Sequence, residues 1–254
     1  MTFRQRLKSG ETLLGTMVTL PTTATAEILA DLGFDWLFLD AEHSSLSYGE
    51  IQGILQTVGD KTACVVRLPA AEEMPVKKVL DLGAAGIIAP QVNSLEHAQD
   101  IVRFARYSPE GCRGVGIGRA HGYGMRFTDY METANDSVAV LVQAEHIEAV
   151  KCIESIVRID GLDGIMLGPY DLSASMGKMG QINDPEVTDA IDRIHQACQS
   201  AEIAIGYFGV NVDAVRPYRQ KGYNLILAGV DTLHLGGAAK KMLNELRSTP
   251  GNQS

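Results

Sequence analysis

The 254-residue sequence predicts an α/β protein, a (β/α)8 barrel in one domain spanning 1–254. Three observations predict it. Eight short apolar segments alternate with segments of helical period along the chain. The apolar segments are continuous rather than alternating, as in parallel strands covered on both faces. A glycine repeatedly ends a helix a few residues before the next strand, in "ADLGFDWLFLD", "LDLGAAGIIAP", "RIDGLDGIMLG" and "RQKGYNLILAG".

Taken in order, residues 13–20, "LLGTMVTL", form the first strand and "TAEILADLG" the first helix that follows a strand. "DWLFLD" at 35–40 is the second strand and "ACVVRL" at 63–68 the third. In "MPVKKVLDLG", Val76, Val79 and Leu80 share one helical face, and Gly83 stands where a helix-terminating glycine belongs. "AGIIAP" at 85–90 is the fourth strand, followed by the helical "LEHAQDIVRFARY". A glycine-rich excursion precedes "VAVLVQAE" at 138–145. "DGIMLG" at 163–168, "IAIGYF" at 203–208 and "NLILAGV" at 224–230 complete the eight. An open doubly wound sheet is the alternative arrangement of the same units.

The bulk composition narrows the function. A net charge of −9 disfavours a nucleic-acid partner, which requires a basic face. No apolar run has the length of a membrane span, and "MTFRQRLKSGET" has no apolar signal core, so a cytoplasmic protein without membrane association is expected. Cys64, Cys112, Cys152 and Cys198 are scattered and read as reduced thiols.

Barrels of this kind carry their sites where the strands end. The second strand ends in Asp40, Glu42 and His43, the third in Arg67, the fifth in Gln143 and Glu145, and the sixth runs through Gly168 and Pro169 to Asp171. The other four end in Thr19, Gln91, Phe208 and Asp231. Glu145 and Asp171, with no cysteine near, suit a hard divalent metal, Mg²⁺, Mn²⁺ or Co²⁺; capping of the following helices is the competing role. Gln143, two residues before Glu145, shares its side of the strand. Asp40 and His43 read either as an acid–base dyad or as a capping acid beside a solvated histidine. Arg67 meets either an anionic ligand or a structural carboxylate, Glu42 or Asp40.

"GCRGVGIGRAHGYG" at 111–124 holds six glycines but follows a helix and lacks a phosphate-loop lysine. It reads as a mobile loop or subunit contact carrying Arg113, Arg119 and His121. His97, His146 and His195 fall in helical stretches as surface or core residues.

"GFDWLFLDAEHS", "VVRLP", "LDLGAAGIIAPQV", "RYSPEGCRGVG", "VLVQAEHIEAV" and "DGIMLGPYDLSASMG" together resemble the class II, metal-dependent pyruvate aldolases. This is the family of 4-hydroxy-2-oxoheptanedioate and 2-dehydro-3-deoxyglucarate aldolases. The resemblance runs from about residue 10 to about residue 245, with "QAE" and "GPYDLS" its specific part. It implies Glu145 and Asp171 as metal ligands, His43 with Asp40 as the acid–base pair, and Arg67 beside the oxygen that gains charge. Gln143 and the backbone N–H groups of Tyr170 and Asp171 would hold the oxo acid. It further implies cleavage of a 4-hydroxy-2-oxo acid to pyruvate and an aldehyde, with oxaloacetate decarboxylation as a side activity. The implied assembly is a homo-oligomer, a hexamer, often with the last helix packed on a neighbouring barrel; "TLHLGGAAKKMLNEL" is amphipathic enough for that and equally suits a helix on its own barrel. Met17, Tyr170, the "RAHGYG" stretch and Phe208 depart from the family pattern; these changes leave the pyruvate half intact and the identity of the aldehyde half open. An acyl-CoA lyase and a non-catalytic oxo-acid-binding barrel are the rival readings. A dinucleotide-dependent oxidoreductase lacks its glycine fingerprint.

Overall fold

The computed structural model describes residues 1–248. Eight strands close into a parallel barrel in chain order: β1 (Leu13–Val18), β2 (Trp36–Asp40), β3 (Ala63–Arg67), β4 (Gly86–Ala89), β5 (Ala139–Ala144), β6 (Gly164–Leu167), β7 (Ala204–Gly209) and β8 (Leu225–Val230), which pairs back to β1. The helices, in chain order, are α1 (Phe3–Lys8), α2 (Thr23–Asp31), α3 (Tyr48–Val58), α4 (Glu73–Asp81), α5 (Leu95–Ala105) and α6 (Phe127–Ser137). They continue as α7 (Ile147–Lys151), α8 (Ile153–Ile156), α9 (Pro169–Ser175), α10 (Pro185–Ser200), α11 (Val212–Gln220) and α12 (Asp231–Ser248). The closed sheet excludes the open alternative.

Two apolar cores account for the continuous apolar strands. Outward residues such as Leu37, Leu39, Val66, Ile87 and Ile205 pack under the helices. Inward residues, among them Trp36, Phe38, Val65, Leu141, Met166 and Leu227, fill the barrel, with Phe3 and Leu7 of α1 closing its lower end. Strand alternation then fixes what faces the upper end. Asp40 follows Trp36 and Phe38 on the inward parity of β2, Arg67 follows Val65 on β3, and Gln143 follows Leu141 on β5. Asp40 and Arg67 are register partners across β2 and β3. A polar inward residue is tolerable there only because the barrel opens above it.

In the glycine-rich stretch Arg113, Arg119 and His121 are engaged within the chain, while Val115 and Ile117 are exposed. Arg113 is buried, its guanidinium 4.5 Å from the Tyr107 ring centroid and 2.7 Å from Asp81 Oδ1. Arg119 donates to the carbonyls of Leu82 and Leu55 at 2.8 and 2.9 Å. The buried His121 ring accepts the Gly124 N–H at Nδ1 (3.0 Å), and its Nε2 lies 2.9 Å from the Gly118 N and 2.7 Å from the Gly116 carbonyl oxygen. These contacts tie the loop to the end of α4, and it lines a cavity of about 860 Å³ at the lower end of the barrel, remote from the strand ends.

Candidate active site

The upper end of the barrel holds a cavity of about 420 Å³. Asp40, His43, Arg67, Gln143, Tyr170 and Asp171 line it, all of them anticipated from the strand ends. Glu145, also anticipated, is buried beneath, at 2% exposure.

Asp40 is paired with Arg67. Arg67 Nε donates to Asp40 Oδ1 at 2.9 Å and Nη2 to Oδ2 at 2.7 Å, a bidentate pair between register neighbours. Asp40 Oδ1 also accepts the backbone N–H groups of Glu42 (3.1 Å) and His43 (3.2 Å). Burial pushes the Asp40 carboxyl up, but the Arg67 hydrogen bonds and charge, with the two N–H groups, outweigh it and hold the group below the usual carboxylate range. Arg67 lies 5.4 Å from the Phe38 ring centroid, and its Nη1 is 3.2 Å from Glu42 Oε2.

The expected side-chain dyad of Asp40 and His43 is therefore absent. Asp40 meets only the backbone of His43, since inward parity and strand register commit its carboxylate to Arg67. The carboxylate beside the imidazole is Glu42, with Oε2 3.5 Å from His43 Nε2. The ring is largely exposed at the cavity rim. Glu42 thus stands between His43 and Arg67. Burial raises its own carboxyl above the usual value against the lowering effect of Arg67.

Glu145 is not a helix cap. The cap of α7 is His146, whose Nδ1 accepts the Glu148 N–H at 3.1 Å, so His146 precedes the helix rather than lying within it. Glu145 Oε1 accepts the Gln91 N–H at 2.7 Å and Oε2 accepts Gln143 Nε2. Burial, with the nearby Glu42 and Asp171 charges, raises its carboxyl to about 7 despite those donors. Asp171 is exposed, in the first turn of α9, and Gly168 at the start of that helix provides no side-chain cap.

Two residues of this arrangement were not among the sequence candidates for binding or catalysis. Gln91 has φ +52°, a left-handed conformation uncommon outside glycine and asparagine, and this turns its N–H onto Glu145. Gly168 lies against the Glu145 side chain. A Cβ there would stand 2.7 Å from Glu145 Cβ, 2.8 Å from its Oε2 and 3.2 Å from Gln143 Nε2. We expect Gly168→Ala to fold, because its φ of −109° suits alanine, yet to displace Glu145. Mn²⁺ titration followed by electron paramagnetic resonance should show affinity reduced by at least about tenfold; unchanged affinity would refute the packing argument.

Comparison with known proteins gives the family. Residues 14–238 match the family model for the HpcH/HpaI aldolase/citrate lyase family. A hydroxypyruvate/pyruvate aldolase from Roseovarius nubinhibens is 36% identical over 249 residues, covering 97% of each chain. A 4-hydroxy-2-oxo-heptane-1,7-dioate aldolase from Klebsiella pneumoniae is 36% identical over 260 residues, covering 99% of this chain and 98% of that one. The crystal structure of an HpcH/HpaI aldolase/citrate lyase family protein from Burkholderia cenocepacia superimposes with a TM-score of 0.92 at 38% identity, covering 96% of this chain and 98% of that one. A barrel whose strand ends bear Asp40, Arg67, Gln143 and Glu145, matched along nearly its whole length, places this chain in the HpcH/HpaI aldolase/citrate lyase family.

Proposed function

We propose that this protein is a divalent-metal-dependent aldolase that cleaves a 4-hydroxy-2-oxo acid to pyruvate and an aldehyde, and catalyses the reverse addition, through a pyruvate enolate. The observation that carries the reading is the gathering of Glu145 and Asp171 with Arg67 and His43 at one barrel mouth. The aldolase names of relatives matched over nearly their full length support it.

The residues fit a metal. Glu42, Glu145 and Asp171 bring three carboxylates near one another, and Gln143 Oε1 is buried with no hydrogen-bond partner. Among the described residues no three His, Cys, Asp or Glu side chains form a cage; the ligands proposed are the two carboxylates Glu145 and Asp171, with water and substrate oxygens completing the shell. Hard oxygen donors favour Mg²⁺, Mn²⁺ or Co²⁺. When bound, such an ion supplies Lewis-acid stabilisation of charge on the 2-oxo oxygen.

The chain's own groups account for the remaining work. Arg67, fixed by Asp40 and Glu42, offers a positive charge to the same developing oxyanion. His43, whose Nε2 stands 3.5 Å from Glu42 Oε2 at the cavity rim, is placed to take the C4 hydroxyl proton as the C3–C4 bond breaks. In the addition direction the imidazolium returns that proton to the aldehyde oxygen. The N–H groups of Tyr170 and Asp171, in the first turn of α9, have no intrahelical acceptor and suit the pyruvate carboxylate. No lysine lines the cavity among the described residues, which leaves the Schiff-base route without its nucleophile. Loss of carbon dioxide from oxaloacetate yields the same enolate, so decarboxylation is an expected side activity.

The test is hydrogen exchange. In D₂O with Mg²⁺ or Mn²⁺, the protein should wash the methyl protons of pyruvate out of the NMR spectrum, and EDTA should stop it. With metal binding verified, exchange at the buffer rate would remove the assignment.

The protein is further proposed to work as a cytoplasmic homo-oligomer, a hexamer. Among the described residues no helix is long and apolar enough to cross a membrane. Leu233, Leu235, Met242, Leu243 and Leu246 of α12 are exposed, as are Val115, Ile117 and Met125 of the glycine-rich loop. Apolar exposure on this scale fits burial against further copies of the chain. Light scattering should accordingly return several times the monomer mass of 27.4 kDa; a monomer would exclude the assembly.

A further inference from the structure

The cavity at the barrel mouth is divided by strand. From β2 round to β6 its wall carries Asp40, His43, Arg67 and Gln143, with Asp171 just beyond. From β7 through β8 to β1 it carries Phe208, Val210, Leu227, Val230 and Met17, and no ionisable side chain. Tyr170 stands at the seam and offers a hydroxyl without charge.

The polar groups near that second arc are committed elsewhere. Asp231, buried at 3% exposure, accepts the Thr19 N–H (2.9 Å), the Thr19 hydroxyl (2.7 Å) and the Leu20 N–H (2.8 Å). The buried Thr16 hydroxyl lies 2.9 Å from His234 Nε2. Tyr207 points outward by strand alternation and stacks on Tyr218. Arg67, the cation of the cavity wall, already meets two carboxylates, Asp40 and Glu42.

Among the described residues, the cavity lining on the β7–β8–β1 side therefore presents a ligand group with neither a cation nor a hydrogen-bonding side chain. A carboxylate there would lose its water without compensation, and a polyol would lose its hydrogen bonds. An alkyl chain would gain the burial. We propose that the acceptor half of the substrate is an uncharged aldehyde with an apolar substituent, rather than a semialdehyde acid or a sugar-like aldehyde. The inference rests on the aldolase reading above. In the reaction it describes, the C3 carbon of pyruvate gives up a proton and bonds to the aldehyde carbon. The aldehyde oxygen takes up a proton in turn.

Matched acceptors test it on the full-length protein with Mn²⁺ and excess pyruvate. Butanal and 4-oxobutanoate differ by a methyl against a carboxylate; propanal and glyceraldehyde differ by two hydroxyls. Solvent exchange of pyruvate without acceptor is followed alongside and reports on the donor half alone. The expected result is exchange, with kcat/KM for butanal above that for 4-oxobutanoate, and for propanal above that for glyceraldehyde, by at least about tenfold each. Val210→Arg places a cation on the apolar arc at an exposed position. It should raise the 4-oxobutanoate to butanal ratio by at least about fivefold. Exchange accompanied by equal or better use of 4-oxobutanoate or glyceraldehyde overturns the acceptor class and leaves the aldolase reading standing. An unmoved ratio in Val210→Arg overturns the placement of the acceptor on this arc. Absence of exchange removes the aldolase reading, and this inference with it.

Discussion

Glu145→Gln is expected to make the metal-free protein more stable while abolishing its response to metal. Ionised Glu145 is buried beside other carboxylates, and its carboxyl is raised to about 7 from an ordinary 4.5. For an acid raised on folding, the unfolded chain ionises first, so ionisation opposes folding. The penalty is complete above pH 7, fades as pH falls from 7 toward 4.5, and is absent below. Glutamine removes it at little structural cost. Its amide oxygen keeps the Gln91 N–H, and the unpartnered Gln143 Oε1 can turn to accept its amide N–H. At pH 8 the gain should be about 1–3 kcal/mol, a rise of about 2–4 °C in Tm for each kcal/mol at this chain length. The difference between the two proteins should close toward pH 4.5. Saturating Mn²⁺ should then stabilise the wild type, by about 2.7 kcal/mol at one hundred times Kd and with a matching rise in Tm, and leave Glu145→Gln unmoved. Pyruvate exchange should fall to the buffer rate. If Glu145→Gln melts lower than wild type at pH 8 without metal, the carboxylate is structural and the argument fails.

What strand pattern could reveal of this site and what it could not follow from range. Alternation along a strand is local, so Asp40, Arg67 and Gln143 were legible as strand-end residues from the sequence, and their inward direction follows from the apolar residues two and four positions before them. The partner of Asp40 was open between His43, three residues away, and Arg67, which had Asp40 or Glu42 as its structural alternatives. The register of β2 on β3 decides for Arg67. Such a decision needs the neighbouring strand and not the loop. Gln91 illustrates the opposite case. Nothing in "APQVN" signals a left-handed glutamine, because that conformation is imposed by the turn out of β4 rather than preferred by the residue. Gly168 was visible as a strand-end glycine, but its necessity comes from the Glu145 side chain lying across it from the adjacent strand. His146 was hidden by type, since helix caps are read from serine, threonine, aspartate and asparagine.

Asp40→Asn should damage stability and turnover together, in contrast to Glu145→Gln. Here the carboxylate is held below the usual range, because Arg67 and two backbone N–H groups outweigh its burial. An acid lowered on folding adds stability above its unfolded value, 3.8, and loses it as pH falls through the folded one. The asparagine protein should therefore be less stable by about 2–4 kcal/mol at pH 7, since removing one partner leaves a buried guanidinium short of charge. That gap should persist down to pH 4 and close only below it. Asparagine can accept from Nε of Arg67 but presents an amide N–H to Nη2, so the guanidinium loses its bidentate seat and swings toward Glu42, 3.2 Å from Nη1. The positive charge then leaves the position proposed above for the developing oxyanion, and pyruvate exchange should drop about a hundredfold. Mn²⁺ affinity, which the proposed function assigns to Glu145 and Asp171, should change by less than about threefold. Denaturation at pH 7 and exchange kinetics at saturating Mn²⁺ check both effects. If Asp40→Asn lost exchange only through lost metal, Arg67 would have no part in the chemistry and the pair with Asp40 would be structural alone.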